Sequence, residues 1–83
     1  MSSTFCFSVH APAAPCTLPR VFEVFALLGH VPERCHADRS SEELVIDLQL
    51  SGLSAGEAAR VAARLGRIVG VESVLWSEKR AAA

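Results

Sequence analysis

Long apolar runs and basic clusters are both missing from this sequence of 83 residues. No apolar run approaches the roughly 20 residues that a helix needs to cross a bilayer, so a membrane span is not expected. The N-terminal segment MSSTFCFSVHAP has neither a basic start nor a sustained apolar stretch, which argues against a signal peptide. The formal net charge is only −1, so neither nucleic acid nor an anionic membrane is expected as a partner.

The sequence also lacks an even set of cysteines. Its three cysteines, Cys6, Cys16 and Cys35, cannot all pair within one chain. Together with the missing export signal, this predicts reduced thiols and a cytoplasmic protein. The sequence has no CxxC and no HxxxH pattern, and the adjacent Cys35 and His36 would point to opposite faces of a strand. We therefore expect no metal site and no cofactor, and we expect Cys35 to be a small buried residue.

Motifs of the common enzyme classes are missing as well. The sequence has no glycine-rich phosphate loop, no nucleophile motif and no pair of carboxylates placed for acid–base chemistry. Cys16 precedes a predicted helix, where a thiol can become reactive, but no base is identified beside it, and an inert loop cysteine is the alternative. We predict a non-enzymatic protein without catalytic residues.

What the sequence does contain is enough apolar residues, 51% of the total, to build a packed core. Its length fits a single domain of residues 1–83, with a core over about residues 4–77. Alternating and helical hydrophobic spacings predict six elements in the order strand, helix, strand, strand, helix, strand. Their ranges are residues 4–10, 17–28, 30–37, 44–50, 54–69 and 71–76, and a frayed tail is predicted after them.

The first strand and the first helix carry clear local signals. Phe5 and Phe7 alternate toward the core, and the prolines within residues 11–15 are expected to stop the strand. Thr17 can cap the helix that follows, and Gly29 suits the left-handed residue that closes it. The apolar stripe of this helix is Leu18, Val21, Phe22, Phe25 and Leu28, widened by Val24 and Leu27.

The later elements predict the arrangement of the sheet. Pro32 places the second strand at an edge, whereas the alternation over residues 44–50 predicts a central strand. Ser54 and Glu57 form a capping-box pattern at the start of the second helix. Two short helices cannot cover both faces of a four-stranded sheet, so both are expected on one face. This order predicts an α+β fold, a ferredoxin-like βαββαβ sandwich with a four-stranded antiparallel sheet.

Three short segments carry a resemblance to a known family. They are Pro15-Cys16-Thr17-Leu18 before the first helix, Gly29-His30-Val31 after it, and residues 68–74 at the last junction of helix and strand. Over roughly Thr4 to Trp76 the chain resembles the ACT domains, the small βαββαβ regulatory modules of amino-acid metabolism. Its size and Trp76 are similar to those of the stand-alone small regulatory subunit of acetolactate synthase.

The resemblance implies a regulatory module that binds a small amino acid at the interface of a homodimer. The candidate ligand-binding residues are Cys16, Thr17, Leu18, His30 and Val31, and main-chain N–H groups near Thr17 and Leu18 would meet the ligand carboxylate. Cys16 stands where the family has glycine. The alternative is therefore a degenerate structural or regulatory subunit that binds a large biosynthetic enzyme, of the acetolactate synthase type, without a ligand.

Two surfaces favour packing against another subunit. The first helix has a broad apolar arc, and the uncovered face of the sheet is expected to carry the small, weakly charged side chains of Cys6, Ser8 and Val45. The arginines at positions 60, 64 and 67 are expected to form a solvated helix face. A homodimer is the expected assembly.

Overall fold

The computed structural model describes residues 3–80 and confirms the predicted order of elements. Its elements are β1 (Ser3–Pro12), α1 (Thr17–Leu27), β2 (Arg34–Arg39), β3 (Glu43–Ser51), α2 (Ala55–Gly66) and β4 (Ser73–Arg80). The four strands form one sheet in the order β2-β3-β1-β4, and all neighbours are antiparallel. β2 is therefore an edge strand and β3 a central one, as the sequence predicts. Within the described residues, neither helix is long and apolar enough to cross a bilayer.

Both helices pack on the same face of the sheet, which confirms the ferredoxin-like α+β fold. Alternation in β1 and β3 buries every second side chain, and each helix buries one stripe. The core consists of Phe5, Phe7, Val9, Val21, Phe25, Leu44, Ile46, Leu48, Leu50, Leu53, Ala58, Val61, Ala62 and Leu65. Phe25 of α1 meets Phe7 edge-on with ring centroids 6.1 Å apart, and Trp76 stacks on Phe7 at 6.4 Å. Burial of these apolar groups is the main force that holds the helices on the sheet.

The two helices begin in different ways. α2 has the predicted capping box: the Glu57 N–H donates to Ser54 Oγ at 3.1 Å, and the Ser54 N–H donates to Glu57 Oε1 at 3.0 Å. The prediction that Thr17 caps α1 is wrong, because Cys16 occupies the cap position and makes no side-chain capping bond. Thr17 is instead buried, and its hydroxyl donates to the Pro12 carbonyl at 3.4 Å.

The first strand continues beyond its predicted end, to Pro12, which lies opposite Glu43 of β3. The His10 carbonyl accepts from the Glu72 N–H, so His10 turns its main chain toward β4. Main-chain hydrogen bonds alternate in direction along a strand, so the nitrogen of Pro12, two residues after His10, also points toward the β4 side. At this level β4 has not yet begun, and no strand lies opposite on that side. No ladder bond is needed there, and proline is therefore tolerated.

The last strand also exceeds its predicted range. Residues 77–80 pair with residues 3–6 of β1, so the predicted frayed tail is wrong for them. The Ser3 hydroxyl donates to the Glu78 carboxylate at 2.6 Å and adds a side-chain link at this end of the ladder. Residues 81–83 of the predicted tail lie outside the described residues.

The second strand starts later than predicted and is more exposed. It begins at Arg34, after Pro32, and all six of its residues are exposed. The prediction that Cys35 is buried is therefore wrong. In α1, Phe22 and Leu27 are 43% and 72% exposed, so the predicted apolar stripe is narrower in the folded chain.

Candidate functional site

The loop between β1 and α1 carries three of the five predicted ligand-binding residues, namely Cys16, Thr17 and Leu18. Cys16 is exposed, whereas Thr17 is buried. The Ala13 N–H donates to the Glu42 carbonyl at 3.0 Å, which ties this loop to the turn between β2 and β3. The loop is therefore fixed at the end of the sheet where β2 finishes.

Only some main-chain donors at the start of α1 are free for a ligand. The Thr17 N–H donates to the Ala14 carbonyl at 3.1 Å, and Pro19 has no N–H. The N–H groups of Cys16 and Leu18 have no hydrogen-bond partner within residues 3–80. Of the two donors that the sequence predicts for a carboxylate, the structure therefore leaves Leu18 available and engages Thr17.

The other two predicted residues, His30 and Val31, follow the far end of α1. Gly29 closes the helix with φ of +79°, as predicted, and the His30 N–H donates to the Phe25 carbonyl at 2.8 Å. Val31 is 82% exposed. The segment is held by Glu33, whose N–H donates to the Gln49 carbonyl at 2.8 Å, at the end of the sheet where β2 starts.

A single chain does not bring the two halves of the predicted site together. α1 has 11 residues and is roughly 16 Å long at the usual helical rise, and Cys16 and His30 lie beyond its opposite ends. His30 instead lies near the start of α2. There the pKa of Glu57 is lowered, first by the hydrogen bond from the Ser54 N–H, then by the Ser54 hydroxyl and, least, by the field of His30.

The outer face of the sheet, turned away from the helices, carries a shallow depression of about 280 Å³ that the sequence prediction missed. The side chains on this face that line it are Cys6, Ser8, Arg34, His36, Asp47, Gln49, Leu75 and Ser77. The predicted outer residues Cys6 and Ser8 form its floor. Arg34, Asp47 and Leu75 were not predicted, although the alternation of β3 does place Asp47 on this face.

Within residues 3–80, no three or more His, Cys, Asp or Glu side chains lie close enough together to hold a metal ion. All three cysteines are free thiols. Partial burial, and then the Asp47 carboxylate, raise the pKa of the Cys35 thiol. Two histidines are candidate bases for the Cys16 thiol. His10 contacts Glu43 at 3.5 Å on the outer face, and His30 lies beyond the other end of α1.

Comparison with known proteins identifies the family. The profile of the ACT-like domain matches residues 2–83. The chain belongs to the ACT-like domain family. No curated protein sequence matches it significantly.

Solved structures share the fold of this ACT-like domain at low sequence identity. The ACT domain from GTP pyrophosphokinase of Chlorobium tepidum superposes with a TM-score of 0.81 at 8% identity, over 93% of this chain and 100% of that one. The uncharacterized protein TM1266 from Thermotoga maritima gives 0.77 at 13% identity, over 96% and 100% of the two chains. A homoserine dehydrogenase from Thiobacillus denitrificans gives 0.72 at 13% identity, over 94% of this chain and 17% of that one.

Cys16 is the main departure of this ACT-like domain from the family pattern. Its φ of −83° and ψ of −9° are right-handed, a conformation that any residue adopts, so a side chain here causes no backbone strain. The glycine of the family pattern is therefore not required by the backbone of this loop. What the substitution adds is an exposed thiol side chain at the start of α1.

Proposed function

We propose that this ACT-like domain is a non-catalytic regulatory module that pairs with a second copy through β2 and binds a small amino acid at the interface. Domains of this family are commonly regulatory and ligand-binding. The observation that carries the proposal is the free edge of β2, because pairing there would unite the two halves of the candidate site.

The main chain of β2 is suited to such pairing. The Ser40 N–H donates to the Glu43 carbonyl at 2.9 Å, so Ser40 turns its N–H toward β3. By alternation, His36 and Asp38 also bond to β3, whereas Cys35 and Ala37 turn their N–H and C=O groups outward. An exposed edge of this kind is a template for another strand.

A two-fold axis through this edge would pair β2 with its copy in antiparallel fashion. The start of one β2, where Glu33 holds the His30–Val31 segment, would then lie beside the end of the other β2. The β1–α1 loop, tied to the β2–β3 turn through Ala13, lies at that same end. Each interface would therefore combine Cys16 and Leu18 of one chain with residues 30–31 of the other.

The chemistry of this combined site fits a small amino acid. The free N–H groups of Cys16 and Leu18, at the positive end of α1, are donors for a carboxylate. His30 adds an imidazole from the second chain, and Val31 adds an apolar surface for a side chain. Thr17 would hold the loop through its bond to Pro12 rather than touch the ligand.

The test combines mass measurement with calorimetry. Sedimentation of the wild type should give a dimer, and Ala37→Pro, which removes an outward N–H, should give a monomer. Ala37→Ser keeps that N–H and is the matched control. Titration with the standard amino acids should release more heat with the wild type and with Ala37→Ser than with Ala37→Pro, because only paired chains form the interface site. Equal heats from all three proteins would contradict the proposal. A wild type that gives no heat and no rise in melting temperature at millimolar ligand would contradict the proposal.

A second candidate function is a subunit that binds a biosynthetic enzyme, such as one of the acetolactate synthase type, without a ligand. A shallow apolar groove between α2 and β4 favours it. The groove is lined mostly by small and apolar residues, namely Ala59, Ala62, Ala63, Gly66, Val71, Val74 and Trp76, with Glu72 and Ser73 also in the lining. Affinity purification from native lysate should then recover a large synthase subunit, identified by mass spectrometry. Repeated recovery of the homodimer alone would argue against this candidate.

A further inference from the structure

The depression on the outer face exists because the central strand β1 has small side chains there. Cys6 and Ser8 lie between longer side chains on β3 and β4, namely Gln49 opposite Cys6 and Leu75 opposite Ser8. Neighbouring strands are about 4.8 Å apart, so the side chains of β3 and β4 face each other across roughly 10 Å. The volume of about 280 Å³ is at the lower end of small-ligand pockets and suits a molecule of a few heavy atoms.

One wall of the depression carries an unpaired cation and an unpaired anion. Arg34 lies opposite Gln49, and Asp47 lies opposite His36, so Arg34 and Asp47 are diagonal neighbours across β2 and β3. Within residues 3–80 neither the Arg34 guanidinium nor the Asp47 carboxylate takes part in a side-chain hydrogen bond or ion pair. His36 is engaged by Asp38 at 3.0 Å.

The opposite wall, formed by β4, carries the aliphatic side chain of Leu75 and the hydroxyl of Ser77. Leu75 of β4 is 64% exposed and lines the depression across the floor from Asp47. An ammonium group would be matched by Asp47, a carboxylate by Arg34, and an aliphatic group by Leu75. These three requirements define one chemical class, a small zwitterion with an aliphatic side chain.

We propose that the outer face of the sheet is a second ligand site, in which Arg34, Asp47 and Leu75 bind a free aliphatic amino acid. The site is complete within one chain and does not depend on pairing through β2. It lies on the opposite face of the sheet from the helices, whereas the interface site uses the ends of α1. A ligand that lacks the ammonium group leaves Asp47 without a partner, and a ligand that lacks the carboxylate leaves Arg34 without one.

The test uses L-leucine as the probe, with two analogues that each lack one charge. Isocaproate, 4-methylpentanoic acid in its ionised form, lacks the ammonium group, and isoamylamine lacks the carboxylate. Amide chemical shifts of the labelled domain, recorded on Ala37→Pro so that pairing does not contribute, report where each probe binds. We expect L-leucine to shift amides around Cys6 and Asp47 and each analogue to bind about tenfold more weakly.

Single substitutions on the same background then test the two charges. Asp47→Asn and Arg34→Gln should each weaken L-leucine binding about tenfold, whereas Arg39→Gln, on the other face of β2, should leave it unchanged. The amide spectra also show whether each variant is folded. Absence of shifts on the outer face overturns the proposal, and so does L-leucine binding by Asp47→Asn and Arg34→Gln that is as tight as in the Ala37→Pro background. Shifts confined to residues 13–18 and 30–33 of the wild type overturn it too, and instead support the interface site.

Discussion

Proline substitutions at two adjacent positions of β2 should have unequal consequences for this domain. Ala37 turns its N–H away from the sheet, and Asp38 turns its N–H toward β3, where Val45 lies opposite. Because residue 37 is already alanine, Asp38→Ala is the matching background for Asp38→Pro. That background also removes the contact between Asp38 and His36 from the comparison.

The magnitude follows from the bond that proline deletes. Loss of the main-chain bond to Val45 costs about 1 kcal/mol, and the carbonyl left unsatisfied costs roughly 1–3 kcal/mol more. We expect Asp38→Pro to be about 2–4 kcal/mol less stable than Asp38→Ala. Ala37→Pro deletes no bond within the chain and should cost less than about 1 kcal/mol. In a domain of this size, each kcal/mol corresponds to roughly 4–8 °C in Tm.

Urea unfolding followed by circular dichroism and by Trp76 fluorescence measures these differences. The measurement belongs at low protein concentration, because pairing would add a concentration-dependent stability. In the wild type, Tm should rise with concentration, and this dependence should vanish in Ala37→Pro. If proline lowers the free energy of unfolding equally at positions 37 and 38, or more at position 37, the assigned directions of the main-chain N–H groups in β2 are refuted.

Three further substitutions test the core and the helix ends by urea unfolding. Phe25→Ala should lower the free energy of unfolding by about 3–5 kcal/mol, because Phe25 is 1% exposed and packs edge-on to Phe7. Gly29→Ala should cost about 1–2 kcal/mol despite free space, since φ is +79°. The pKa of Glu57 is lowered on folding, so its stabilisation is full above the ordinary carboxyl pKa of about 4.3 and is lost as pH falls below it. Glu57→Gln should flatten that part of the stability–pH profile, and an unchanged profile would contradict the capping box with Ser54.

Local patterns were sufficient to predict the elements that neighbouring residues determine. The alternation of β1 and β3, the capping box at Ser54 and the closing Gly29 all depend on periods and backbone preferences that a short segment contains. The ends of the strands depend on partners far along the chain. Pro12 stays in β1 because β4 has not yet begun beside it, and residues 77–80 remain in β4 because β1 starts at Ser3.

Less of the candidate sites than of the fold could be predicted from the sequence, because the sites also depend on partners far along the chain. The loop at Cys16 and the segment at His30 could be located from short motifs, but which donors stay free depends on bonds such as that of Thr17 to Ala14. The outer depression needs the register of four strands. Arg34 and Asp47 lie 13 positions apart in sequence, and only the antiparallel pairing of β2 with β3 makes them neighbours.

The other edge of the sheet, β4, has a consequence for solution behaviour under the proposed pairing through β2. If two chains close a continuous sheet through β2, both copies of β4 remain at its outer margins. Exposed margins of that kind invite end-to-end polymerisation, particularly around Trp76, which is 40% exposed. The charged Glu78 and Lys79 then act as gatekeepers against fibre growth, and their replacement by apolar residues should convert a discrete assembly into an aggregating one.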